Sequence, residues 1–126
     1  MIYKTKEFVS LTKKESLTDD DLIDASKEMA EGLYDADLGG NVYKKRIAAG
    51  AGSRGKSAGY RTIIGANIGD KYFFLYAFAK KAKANINAKE KLALKELAKE
   101  FLSFTQVEIE ELVEDGELLI VGDGYE

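Results

Sequence analysis

The sequence predicts an α+β fold: a small antiparallel sheet of three to four strands with N-terminal helices and a C-terminal helix packed on it. Three observations carry this expectation. Apolar residues recur at helical spacing in two stretches, Leu22-Ala25-Met29-Leu33 and Leu94-Leu97-Ala98-Phe101-Leu102. Between those stretches lie segments rich in β-branched and aromatic residues, at 42–48, 59–67 and 71–78. The 126-residue chain has no proline and no linker-like or repetitive tract, so residues 1–126 read as one domain with an acidic C-terminal tail at about 105–126.

Taken in order, residues 1–4 suit a short first strand. Thr5 can then cap a helix that carries Phe8 and Leu11 on one side. Thr18 is the next N-cap, followed by Asp19, Asp20 and Asp21, where a helix dipole favours anions. That helix should end near residues 32–34. Residues 35–41, DADLGGN, have the chemistry of a loop. The short 67–70 connection makes the second and third strand candidates an antiparallel hairpin. Asn87 is an N-cap with Glu90 in the reciprocal capping-box position. Residues 105–114 read as a short acidic helix, and 118–121 as a last strand or a tail.

Composition narrows the chemistry. The chain contains neither cysteine nor histidine, which removes thiolate catalysis, disulfides, and the usual general base and metal ligand near neutral pH. No metal site or cofactor is expected. No apolar run approaches the ~18 residues of a membrane span, and no signal-peptide core follows the first charges, so a cytoplasmic location is the expectation. The net charge of −3 hides a segregation. Residues 41–91 hold 12 Lys/Arg and 2 Asp/Glu, whereas residues 92–126 hold 2 and 10. A basic block between acidic ones suits a face aimed at a polyanion; it also suits charges that neutralise one another within one fold.

Residues 50–57, GAGSRGKS, match the spacing of a phosphate-binding loop. Such a loop wraps phosphate at a helix N-terminus. Here the following residues, Gly59-Tyr60-Arg61-Thr62-Ile63-Ile64, are those of a strand. The segment is therefore read as a basic connector between two strands. Alternation along those strands puts Lys44 and Arg46 on one face, opposite Tyr43, Lys45 and Ile47, and puts Arg61 opposite Tyr60 and Thr62. If the strands are neighbours, one face presents Lys44, Arg46 and Arg61, with Lys80, Lys81 and Lys83 at its rim. Lys45, Arg54 and Lys56 are further candidates for RNA contact. Tyr60, Tyr72 and Tyr76 read as core by the same parity.

The order LGGNVYKKRIA, a Gly-rich basic loop, GKSAGYRTI, a GD turn, YFFLYAFAKKAKANI and a final amphipathic helix resembles the RelE-like toxins of the HigB branch. The resemblance covers nearly the whole chain and is most specific over 33–102. It implies ribosome-dependent cleavage of mRNA, with the ribosome and mRNA as targets and a cognate antitoxin, expected to be a helix-turn-helix protein, as the inhibitor. It matches Lys44 and Arg46 to basic positions of the family's central strand, Arg61 to the arginine of its GYR-like strand, and Lys80 to the lysine closing the third. Where relatives have Asn-Glu-Arg after that lysine, this chain has Lys81-Ala82-Lys83, and Asn85-Ile86-Asn87 stands where some relatives place a catalytic tyrosine. The general acid is therefore open.

RNA cleavage without a metal needs a base for the 2′-OH, an acid for the 5′-oxygen, and positive charge on the transition state. A lysine crowded by cations gives up its proton more readily, which makes Lys44 the candidate base. Arg61 suits bidentate phosphate binding, Arg46 supports it, and Lys80, Lys81 or Lys83 can add phosphate contacts or the acid. Two other classes fit the same basic face: a non-catalytic nucleic-acid-binding module, and a RelE-fold toxin with a protein target such as a topoisomerase.

Overall fold

A computed structural model describes residues 1–13, 17–47, 60–79 and 85–122. The elements in chain order are β1 (Ile2–Thr5), α1 (Lys6–Thr12), α2 (Asp19–Ala30), β2 (Ala36–Gly39), β3 (Val42–Ile47), β4 (Tyr60–Asn67), β5 (Lys71–Ala79), α3 (Ala88–Ser103), α4 (Gln106–Glu114) and β6 (Leu118–Ile120). The strands form one six-stranded sheet in the order β2-β3-β4-β5-β1-β6. All neighbours run antiparallel except β1 and β5, which are parallel.

The α+β class holds, but the sheet is larger than three to four strands, and it is mixed. One strand was hidden for local reasons, and another reads from the sequence as either a strand or a tail. β2 lies within the loop-like DADLGGN, because the turn into β3 uses Gly39, Gly40 and Asn41 at positive φ, and the glycines and aspartates mask a strand only four residues long. β6 is three residues long and gains its place by pairing with β1.

Helices cover both faces. On one side, α1 and α2 bury Phe8, Leu22, Ala25 and Met29 against Tyr60, Ile64, Ala66, Tyr72 and Phe74 of the sheet. On the other, α3 and α4 bury Leu94, Ala98, Phe101 and Ile109 against Tyr3, Val42, Ile63, Phe73 and Leu118. Strands covered on both faces must be apolar on both, which explains the nearly unbroken apolar runs of β4 and β5. The second core contains a stack of three rings: Tyr3 and Phe101 each lie 5.2 Å from Phe73, at interplanar angles of 15° and 12°.

The helices begin where their caps require. The Thr5, Thr18, Asn87 and Thr105 side chains each accept a backbone N–H three residues on. In the last three helices the N3 carboxylate of Asp21, Glu90 or Glu108 returns a bond to the cap's own N–H. α3 presses close to the sheet at Gly65, where a Cβ would stand 2.8 Å from the Ala98 Cβ.

Candidate RNA-binding face

The register of β3 on β4 sets Arg46 directly opposite Arg61 and Lys44 opposite Ile63. Opposed residues in an antiparallel pair have Cα atoms roughly 4.5–5.5 Å apart. Val42 and Ile63 belong to the α3-side core, so Lys44, Arg46 and Arg61 emerge on that side, and the parity reading brings them together. Arg46 is exposed; Lys44 and Arg61 are half-buried. Like charges placed directly opposite one another disfavour the sheet, so an Arg46–Arg61 pair is a poor choice for stability alone.

Lys45 goes elsewhere. It faces α2, its side chain is 10% exposed, and its Nζ donates to Glu28 Oε1 at 2.6 Å. Its backbone carbonyl accepts from the Thr62 hydroxyl at 2.8 Å. Lys45 thus joins α2 to the sheet and lies on the face opposite Lys44. Arg54, Lys56, Lys80, Lys81 and Lys83 lie outside the described residues, as does the 50–57 segment.

Two residues at the margin of this face were missed. The Asp35 carboxylate accepts the Arg46 N–H at 2.7 Å, and the Asp35 N–H donates to the Lys44 carbonyl at 2.8 Å, which prolongs the β2–β3 pairing. An acid therefore borders the cations. The other is Tyr76. Along β5 the pairing steps from Ile64↔Phe74 to Ile63↔Tyr76, so Leu75 is an extra residue, a β-bulge. Tyr72 and Phe74 remain on the α1–α2 side, while Tyr76 packs on the α3-side core, beside the cations. Simple alternation cannot see a bulge, and nothing in the sequence marks this one. Tyr60, by contrast, is buried on the α1–α2 side as its parity implied.

The α3 side also has an acidic region. A concavity of about 360 Å³ is lined by Leu75, Leu97, Phe101 and Phe104, with Glu100 and Glu117 among its polar residues. Its charge disfavours a polyanion, in contrast to the cations of β3 and β4. No helix among the described residues is long and apolar enough to cross a membrane.

A mixed sheet sandwiched by helices, with a cationic row on β3 and β4, defines a small α+β protein. The model of the RelE toxin of the RelE/RelB toxin–antitoxin system matches residues 1–121, and the chain belongs to this family. It is thus a toxin of a toxin–antitoxin system, with an antitoxin as its implied partner; toxins of the family are generally ribonucleases. Comparison with curated proteins returned no match.

Proposed function

We propose that the protein is a ribosome-dependent mRNA endoribonuclease of the HigB branch, cleaving without a metal through its lysine and arginine side chains. The observation that carries this reading is the register: Arg46 opposes Arg61 on adjacent strands, with Lys44 two residues along on the same face. Three cations gathered on one face in this way suit a phosphodiester. With no histidine or cysteine, proton transfer falls to other side chains, and Lys44 stands on the same face as the two arginines.

In this mechanism Lys44 takes the proton of a 2′-OH as that oxygen bonds to the adjacent phosphorus. Negative charge grows on the non-bridging oxygens, where Arg61 and Arg46 meet it. The bond from phosphorus to the 5′-oxygen then breaks. Lys80, immediately past β5, is the candidate donor of the proton that the 5′-oxygen takes up. The products are a 2′,3′-cyclic phosphate and a 5′-hydroxyl. The ribosome positions the strand, so the isolated protein should cleave free RNA weakly.

The test is to map mRNA 5′ ends after induction, alongside growth, for wild type, Arg61→Ala, Lys44→Met and Lys45→Met. Arg61→Ala and Lys44→Met should lose cleavage by roughly 10²-fold or more, the scale on which one transition-state contact counts. Lys45→Met should retain it. A folded, fully toxic Arg61→Ala would sink the site assignment. Growth arrest with intact mRNA would sink the ribonuclease reading and favour a protein target.

A further inference from the structure

We infer that Tyr76, which the β5 bulge turns onto the cationic face, is a nucleobase-stacking contact of that face. The inference rests on the nucleic-acid reading above and names what that site recognises beyond phosphate.

Without an extra residue at Leu75, Tyr76 would follow Tyr72 and Phe74 to the α1–α2 side. The bulge instead places it opposite Ile63, next in line after Lys44 across the sheet. Arg61 is opposite Phe78, which makes Tyr76 its diagonal neighbour. Diagonal neighbours lie roughly 7–8 Å apart. That is comparable to the reach from a nucleotide's phosphate to its base, so a phosphate on Arg61 brings a base to the Tyr76 ring.

The ring is held in orientation. Its hydroxyl donates to Glu90 Oε2 at 3.3 Å, and the other oxygen of that carboxylate accepts the Asn87 N–H at 2.8 Å in the cap of α3. One flank leans on Phe78, with centroids 6.1 Å apart and planes tilted by 42°. Tyr76 is half-buried, whereas Tyr3, Tyr60 and Tyr72 are buried. The same bulge turns Phe78 into the α3-side core, where it is buried, while Tyr76 beside it stays half-exposed. An orientated, half-exposed ring beside phosphate-suited cations is the arrangement by which proteins grip single-stranded nucleic acid.

The test measures binding of the full-length protein to two 2′-O-methylated oligonucleotides, which lack the attacking hydroxyl. One carries bases; the other is the abasic strand of the same length. Wild type should bind the first roughly tenfold tighter, the scale of one stacked base. Tyr76→Leu should erase that preference and leave abasic binding unchanged. Tyr76→Phe should keep the preference, because the ring remains. Arg61→Ala should weaken both strands alike. A Tyr76→Leu variant that keeps the preference, or weakens both strands equally, overturns the stacking role and leaves the cationic face standing. Binding to neither strand at low salt overturns both. Should Tyr76→Leu fail to fold, the wild-type ring resonance, assigned through Tyr76→Phe, decides. An upfield shift with the base-bearing strand alone supports stacking, and no such difference refutes it.

Discussion

Gly65 shows how tightly a single residue can be constrained in this fold. Its missing side chain lets α3 settle on β4, because a Cβ there would meet the Ala98 Cβ at 2.8 Å and both the Ala98 Cα and Leu75 Cδ1 at 3.4 Å. The Ala98 backbone cannot yield without moving the helix. Gly65→Ala should therefore destabilise the protein by about 1–3 kcal/mol. Adding Ala98→Gly should recover part of that loss, less the ~1 kcal/mol that glycine costs in a helix. Urea denaturation of the two single variants and the double variant checks this, and strictly additive effects would refute the contact. Residue-level inference from sequence succeeded where strands are regular. Lys44, Arg46 and Arg61 were placed on one face by alternation, since β3 and β4 pair without interruption from Val42 to Ile47. It failed at Tyr76, where one inserted residue inverts the alternation.

Helices were the more legible elements because their starts are written in side chains. Thr18, Asn87 and Thr105, each followed at N3 by a carboxylate, mark the first turns of α2, α3 and α4. β2 and β6 carry no such mark, and they exist by virtue of neighbours far away in the chain. α2 is also tied to the sheet through Asp19, whose carboxylate accepts from Lys4 Nζ and from the Gly122 N–H, each at 3.0 Å. Burial pushes its pKa upward, but the Gly122 and Lys4 contacts outweigh burial and hold it below the ordinary value of 3.8. A depressed carboxylate stabilises the fold above its unfolded value and loses that contribution as pH falls through the folded one. Asp19→Asn should thus be less stable than wild type near neutral pH, and the gap should close as pH drops below 3.8. Denaturation midpoints across that range give the measurement. A gap that stays constant with pH would show the charge to be irrelevant.

At the scale of the whole molecule, the segregation of charge along the chain becomes a segregation in space. Lys44, Arg46 and Arg61 share the β3–β4 region, while α4 and its flanks carry Glu108, Glu110, Glu111, Glu114, Asp115 and Glu117. Binding to single-stranded RNA should therefore depend steeply on salt. Each RNA phosphate neutralised contributes about −0.7 to the slope of log affinity against log salt, and Lys44→Met should make the slope shallower. Lys45→Met should leave the slope unchanged, because that ammonium is already matched to Glu28 on the far face. Titrations at several salt concentrations measure both. Equal effects of the two substitutions would mean that the faces do not differ as described. Overall architecture was harder to read than its parts. The sequence shows which segments are apolar, but not that helices would divide between two faces, because that depends on which strands lie side by side.

The parallel pairing of β1 with β5 has a bearing on the order in which the molecule is built. β3, β4 and β5 are consecutive and bring the three cations together through short-range pairing. β1 must close over a much longer span: Thr5 bonds to the carbonyl of Leu75, 70 residues on, and Lys6 to Glu117, 111 residues on. Long closures are slow and come after local ones. The half of the sheet that carries the cationic row can assemble early, and the half that completes the cores arrives last. Defects in β1 or β6 should then limit how many molecules reach the finished state while leaving the character of those that do unchanged.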